Sequence, residues 1–314
     1  MQEIMKAIYA APLQGYTEAA WRNAHSEVFG GVDAYYTPFV RLEKGSIRNK
    51  DRRELLPEQN KVNRLIPQVV ASEAEEFDQL VRMVTALGYR EIDLNMGCPF
   101  PLIANRGKGS GLLAFPDRIA GLLEVMTHWT EVHFTVKMRL GWKEADEWKN
   151  VLPLLNRSVV QEVVLHPRIG KQQYKGSVNQ EEFRSFYEAC ELPLVYNGDL
   201  TEADAVRHLL DEYPRLKGVM LGRGLLADPS LAVALRTGVA MDRSCLYEKV
   251  YEMHRRIYAH YESVIEGGDA QLLQKMKTQW EYLLPDMDRK ARKQILKSQS
   301  LERYLQGVRE ACRI

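Results

Sequence analysis

The chain has 314 residues, 45% of them hydrophobic and 27% charged, which is the composition of an ordinary globular protein able to bury a sizeable core. A net charge of +1 announces no nucleic-acid partner by itself, no apolar run reaches the length of a membrane span, and MQEIMKAIYA lacks a signal-peptide pattern, so a cytoplasmic protein is expected. Four scattered cysteines (Cys98, Cys190, Cys245 and Cys312) with no C-x-x-C spacing predict free thiols and no zinc or iron–sulfur centre.

From the N-terminus, short apolar runs alternate with helical patterns, the signature of repeated βα units around a parallel sheet. Strands are predicted at Ala7–Leu13, Asp33–Val40, Leu65–Val70, Tyr89–Gly97, Glu131–Gly141, Gln161–Arg168, Pro193–Asp199 and Gly218–Arg223. Ser72 with Glu75 reads as a capping box before a helix closed by Gly88. Thr201 reads as the cap of TEADAVRHLLDEY, with Ala205, Leu209 and Leu210 on its apolar stripe. Eight such strands predict a (β/α)8 TIM barrel over residues 1–240. An open doubly wound sheet would carry G-x-G-x-x-G after the first strand, and AAPLQGYTEA does not. The segment 41–63 is charged and reads as partly helical, with no assignable role.

Beyond Asp228–Pro229 the strand signals stop, and residues 241–314 read as a small helical domain broken at Gly267–Gly268 and Pro285–Asp286. That tail holds 14 Lys and Arg against 11 Asp and Glu (+3), which leaves 29 against 31 (−2) for residues 1–240.

The chemistry concentrates at the predicted strand ends. In IDLNMGCP, Asp93, Asn95 and Gly97 alternate onto one face before the turn that presents Cys98. A lone cysteine is more often a small buried hydrophobe, but here a turn glycine, Pro99 and the loop to Gly111 surround it. In the next strand His133, Thr135, Lys137 and Arg139 share the polar face, and a lysine inside a barrel needs an anionic partner or a ligand. His166 and Arg168 suit an anion, and the glycines of YNGD (Tyr196–Asp199) and LGRG (Leu221–Gly224) leave backbone amides open, as in phosphate sites after the last barrel strands. Gln68 reads as an amide for a heterocycle. GKGSG (Gly107–Gly111) is no Walker loop, and the remaining histidines lack ligand spacing, so no metal site is expected.

In order, AAPLQGYTEAAWR, PQV, IDLNMGCP, VKMRLGW, HPR…YKG, NGD, GRG and the tail's KMKTQWEYLL resemble the tRNA-dihydrouridine synthases. Two departures stand out: Leu13 where that family usually has Met, and Pro167 where a small residue is usual. The resemblance implies a flavin-dependent barrel that reduces the 5,6 double bond of selected uridines in tRNA, with NADPH as reductant. It implies FMN held by Ala11, Pro12, Leu13, Gln68, Lys137, His166, Asn197, Gly198, Asp199, Gly222 and Arg223, and Cys98 as proton donor. Asn95, Arg139, Arg168 and Tyr174, with Lys275 and Lys277 in a tRNA-binding tail, would contact substrate in a monomeric enzyme. A dihydroorotate-type dehydrogenase needs no basic tail. A Schiff-base aldolase working through Lys137 would be colourless, and a barrel that only binds RNA would have no use for Cys98 and Lys137.

Overall fold

The computed structural model describes residues 6–312. Nine strands form one parallel sheet: β1 (Ala7–Ala10), β2 (Ala34–Tyr36), β3 (Leu65–Ile66), β4 (Gln68–Val69), β5 (Glu91–Met96), β6 (His133–Gly141), β7 (Glu162–Ile169), β8 (Leu194–Tyr196) and β9 (Gly218–Leu221). The sheet order runs β3-β2-β1-β9-β8-β7-β6-β5-β4. Its two edges are consecutive in the chain, separated only by Pro67, so the sheet curls into a barrel of eight staves. Pro67 breaks the third stave because it has no N–H for the ladder. Its carbonyl still accepts from Asp93 N at 2.9 Å, and Val40 bridges to Val69 to complete the closure.

Crossovers carry α1 (Ala19–Val28), α2 (Asn49–Arg53), α3 (Ala74–Thr85), α4 (Pro116–Thr127), α5 (Trp148–Asn156), α6 (Gln180–Ala189) and α7 (Ala203–Glu212), and α8 (Leu231–Thr237) follows the last strand. On β6 the alternation holds as expected: Phe134, Val136, Met138 and Leu140 are buried in the main apolar core. Lys137 and Arg139 alternate with them onto the opposite face, and both line the central cavity. His133, at the strand's start, is exposed and bonds Gln161 instead. Pro167 is accommodated inside β7, where the ladder with β6 shifts register between Arg139 and Gly141.

Several predicted strands run past the observed ones at their C-terminal ends, because there the chain leaves the ladder to form the rim of the barrel. Two predicted caps also move. Helix α3 begins after Glu73, and it is Glu76 whose carboxylate accepts from Ser72 N at 3.2 Å, one residue beyond the predicted Glu75. Helix α7 is preceded by Glu202 with no side-chain cap; Thr201 stays outside, and Val206 is buried where Ala205 was expected.

The tail folds as α9 (Arg243–Val264), α10 (Gly268–Gln279), α11 (Arg289–Leu296) and α12 (Leu301–Cys312). The run RKARKQILKSQSLERYL is therefore two helices, parted at Lys297–Ser300. Trp280 Nε1 donates to Tyr304 Oη at 2.9 Å, and both side chains are fully buried. The tail's apolar residues are continuous with those of the barrel through α1, so helices and barrel share one core. Glu18 ties them as well, accepting from Tyr261 Oη at 2.8 Å and pairing with Lys275 at 2.6 Å. Among the described residues, no helix is long and apolar enough to cross a membrane.

Candidate active site

The loops at the C-terminal ends of the strands enclose a cavity of about 940 Å³, inside the size range of small-molecule and cofactor sites. Cys98 sits on its wall at the end of β5. Its position is fixed through the backbone. Asn95 Oδ1 accepts from Gly97 N at 3.0 Å and from Cys98 N at 2.8 Å. Asn95 Nδ2 donates to Gln68 Oε1 at 2.7 Å, and Gln68 Nε2 donates to Asp93 Oδ2 at 2.6 Å. Thr135 Oγ1 donates to the other oxygen of Asp93 at 2.6 Å. Burial pushes the Asp93 carboxyl up to about 7, against the pull of the Thr135 and Gln68 hydrogen bonds and of Lys137.

From the other side, Ser110 N and Ser110 Oγ both donate to the Cys98 carbonyl at 3.0 Å. Gly109 makes this approach possible. Its φ is +57°, and a Cβ there would lie 2.7 Å from the Cys98 carbonyl oxygen. The GKGSG loop is therefore the clamp on the thiol's backbone. Burial raises the thiol's pKa, while the Phe100 amide, Arg139, Lys137 and Arg41 pull it down less strongly. The sulfur keeps its proton at neutral pH.

Lys137 neighbours Asn95 across the ladder and faces the same cavity. Its ammonium has no hydrogen-bond or ion-pair partner among the described residues. Burial and Arg139 push its pKa down to about 8, opposed by Asp93 and Cys98. Arg139 is spent on the scaffold: Nε donates to Gly97 O at 2.9 Å, and Nη1 donates to Ile169 O and Gln173 O at 2.9 and 2.7 Å. It thereby joins the Cys98 turn to the loop of Tyr174, whose ring has the guanidinium carbons of Arg139 and Arg223 over it at 5.4 and 4.8 Å.

At the far wall, Asp199 bridges two arginines. It accepts from Arg168 through both oxygens, one at 3.0 Å, and from Arg223 at 2.8 Å. Arg168 also donates to His166 Nε2 at 2.9 Å, which makes His166 an acceptor there and therefore neutral, in line with burial and the surrounding cations lowering its pKa. Asn197 Nδ2 donates to Met220 O at 2.7 Å, tying the loop after β8 to strand β9.

Of the residues singled out from sequence, the structure gathers Ala11, Pro12, Leu13, Asn95, Cys98, Lys137, Arg139, His166, Tyr174, Asn197, Gly198, Asp199, Gly222 and Arg223 on this cavity. Gln68, Arg168, Lys275 and Lys277 lie off it. Gln68 is buried behind Asn95 and positions it. Arg168 is buried in the Asp199 pair. Lys275 pairs with Glu18, and Lys277 donates to Ser298 O.

The sequence pattern of the family described as Dihydrouridine synthase (Dus) matches residues 9–311. The chain belongs to the dihydrouridine synthases. It is 24% identical over 268 residues to tRNA-dihydrouridine synthase B of Pasteurella multocida, covering 83% of this chain and 78% of that one. It is 27% identical over 267 residues to a probable tRNA-dihydrouridine synthase of Rhodobacter capsulatus, covering 82% and 79%. Among solved structures, morphinone reductase shares the fold with a TM-score of 0.52 at 11% identity, over 77% of this chain and 88% of that one.

Part of the cavity wall of this chain comes from segments that strand-end reasoning did not reach. Tyr16 from the first rim loop donates to the Glu281 carboxylate and meets Tyr282 edge-on at 5.1 Å. Glu281, Tyr282 and Pro285 belong to the turn between α10 and α11, so the tail completes the mouth of the barrel. Arg292 holds that turn, donating to the carbonyls of Trp280, Glu281, Leu283 and Leu284 at 2.6, 2.9, 2.8 and 3.4 Å. The PDMD stretch before α11 was the legible signal of a turn; its return to the barrel was not.

Proposed function

We propose that this chain reduces the 5,6 double bond of selected uridines in tRNA, with FMN as cofactor, NADPH as reductant and Cys98 as the proton donor. The reading rests on one juxtaposition: a thiol kept protonated by burial and an unpartnered, half-buried ammonium, Lys137, face the same cavity as the open backbone of Gly222. A half-buried ammonium lining a cavity, with no protein partner among the described residues, calls for a ligand with an electron-rich edge, which an isoalloxazine has. A Cβ placed on Gly222 would meet nothing closer than 3.6 Å, so the backbone there is open to a phosphate, with Arg223 beside it. Ala11, Pro12, Leu13, Lys137, His166, Asn197, Gly198, Asp199, Gly222 and Arg223 would hold FMN. Gln68 would act one step removed, through Asn95.

Reduced FMN held by these residues would supply the hydride chemistry at one carbon of the base. Cys98 supplies the proton to the other: its S–H bond breaks as the new C–H bond forms, and the thiolate left behind is met by Lys137 and Arg139 until it regains a proton from solvent. Asn95 and Tyr174 would seat a base unstacked from the RNA. Residues 1–240 would form the catalytic unit and 241–314 a tRNA-binding unit, working in the cytoplasm. Purified protein should be yellow and bleached by NADPH, and tRNA from cells without the gene should lack dihydrouridine at definite positions. A colourless protein with an unchanged dihydrouridine map would overturn the reading.

Arg223→Ala should lower FMN retention through dialysis by about tenfold, because a charge-assisted, potentially bidentate phosphate contact is lost. Folding should be little affected, since Arg223 is about one-third exposed. Full flavin occupancy in the variant would place the phosphate elsewhere. In the tail, Arg289, Lys290 and Lys293 are exposed, whereas Arg292 is structural. Reversing the three exposed residues to Glu should raise the Michaelis constant for tRNA and flatten its salt dependence, leaving NADPH oxidation unchanged. An unaltered salt slope would take α11 out of the RNA surface.

A further inference from the structure

We propose that the strap joining β2 to β3 is a phosphate grip: Arg41 and Lys50 contact RNA backbone phosphates next to the nucleotide admitted to the cavity. The inference rests on the tRNA reading above and extends it to a segment with no role so far. The strap is built to be rigid. Leu42–Glu43 and Ser46–Ile47 form a hairpin whose two-residue turn, Lys44-Gly45, has φ of +52° and +79°, the signature of a type I′ turn. Gln79 Nε2 donates to Gly45 O at 2.8 Å, which pins the tip to α3. Arg48 is held by Asp51 through two hydrogen bonds of 2.7 and 2.8 Å, and Asp51 is buried. At the far end Tyr89 Oη donates to Leu55 O at 2.6 Å, with Leu55 fully buried.

This scaffold presents Arg41, Arg48 and Lys50 on the wall of the cavity. Arg48 is consumed by Asp51. Arg41 and Lys50 have no hydrogen-bond or ion-pair partner among the described residues. Both reach the site electrostatically: Arg41 bears on the Cys98 thiol and Lys50 on Glu18. The acidic groups on the same wall are already satisfied. Glu18 is engaged by Lys275 and Tyr261, Glu281 by Tyr16, and Asp199 by Arg168 and Arg223. Two free cations on a preorganised support, at the mouth of a cavity that must admit one unit of a polyanion, fit phosphates held for positioning and not for sequence. Lys and Arg run on to Arg52 and Arg53, but these are exposed and do not line the cavity. They serve as the control for charge alone.

The test compares Arg41→Gln/Lys50→Gln with Arg52→Gln/Arg53→Gln in the flavin-loaded enzyme, measuring the Michaelis constant for tRNA across salt. Two phosphate contacts account for about a tenfold change in affinity between roughly 50 and 200 mM salt. The first variant should lose that much of the wild type's salt sensitivity, with flavin content and NADPH oxidation unchanged. The second should keep it. An unchanged slope in the first variant overturns the grip, as does an equal loss in the control. A raised Michaelis constant for NADPH but not NADH, with tRNA unaffected, also overturns it, by assigning these cations to the reductant's phosphate. Failure of the underlying reading looks different, since wild-type protein would then make no dihydrouridine at all.

Discussion

Cys98→Ala should leave the protein folded, loaded with FMN and reducible by NADPH, while slowing dihydrouridine formation by about 10²- to 10⁴-fold, the usual worth of a positioned acid. In barrier terms that is roughly 3–5 kcal/mol. The fold should tolerate the change because the structural contacts of this residue are made by its backbone. Its N–H goes to Asn95, and its carbonyl takes two bonds from Ser110. Alanine keeps all of them. The side chain adds the Phe100 amide beside the sulfur and apolar packing near Phe39, Val70 and Ile103, which the methyl of alanine largely keeps. Single-turnover reduction of tRNA by pre-reduced enzyme separates the proton step from flavin reduction. A variant that forms dihydrouridine at the wild-type rate would transfer the acid role to another group on the wall, Tyr174 being the nearest in kind.

The barrel and the gathering of these residues on one cavity were legible for a simple reason: strand alternation is local, and the inward face of each strand end lines the mouth of the barrel. On β6 that rule put Lys137 and Arg139 on the cavity side, and on β5 the turn after the strand, not alternation, brought Cys98 there. Alternation says which face a side chain takes, but not how deep it lies. Gln68 shares the inward face, yet it lies one layer behind the cavity wall, bonded between Asp93 and Asn95. Arg168 is likewise inward and consumed by Asp199. Tyr16, Glu281, Tyr282 and the cations of the strap were out of reach because their roles depend on loops meeting across long stretches of chain. Arg292 shows the cost of reading charge without structure. In RKARKQILK it looks like its neighbours, but it is the residue that caps four carbonyls of the turn closing the mouth.

The Asp199 junction should carry the largest stability effect at the site. Arg168 is 2% exposed, and its Nε already lacks a partner, so the guanidinium depends on this carboxylate. Removing one member of a fully buried pair costs about 3–5 kcal/mol, since a charge is left stranded. Asp199 is 37% exposed, and water reaching it reduces the expected loss to about 2–3 kcal/mol for Asp199→Asn. Asparagine is the informative substitution because φ at this position is +49°. Asn tolerates that region, whereas Ala would add backbone strain of about 1 kcal/mol. The same variant frees Arg223, so flavin retention should change along with stability. Replacing the pair together, Arg168→Leu with Asp199→Asn, should cost less than the sum of the single changes, because no buried charge is then left unpaired. Denaturant midpoints for the two single variants and the double variant measure this directly. Additive losses would mean that Arg168 and Asp199 are stabilised independently, with His166 and the Gly176 carbonyl sufficient to hold the arginine.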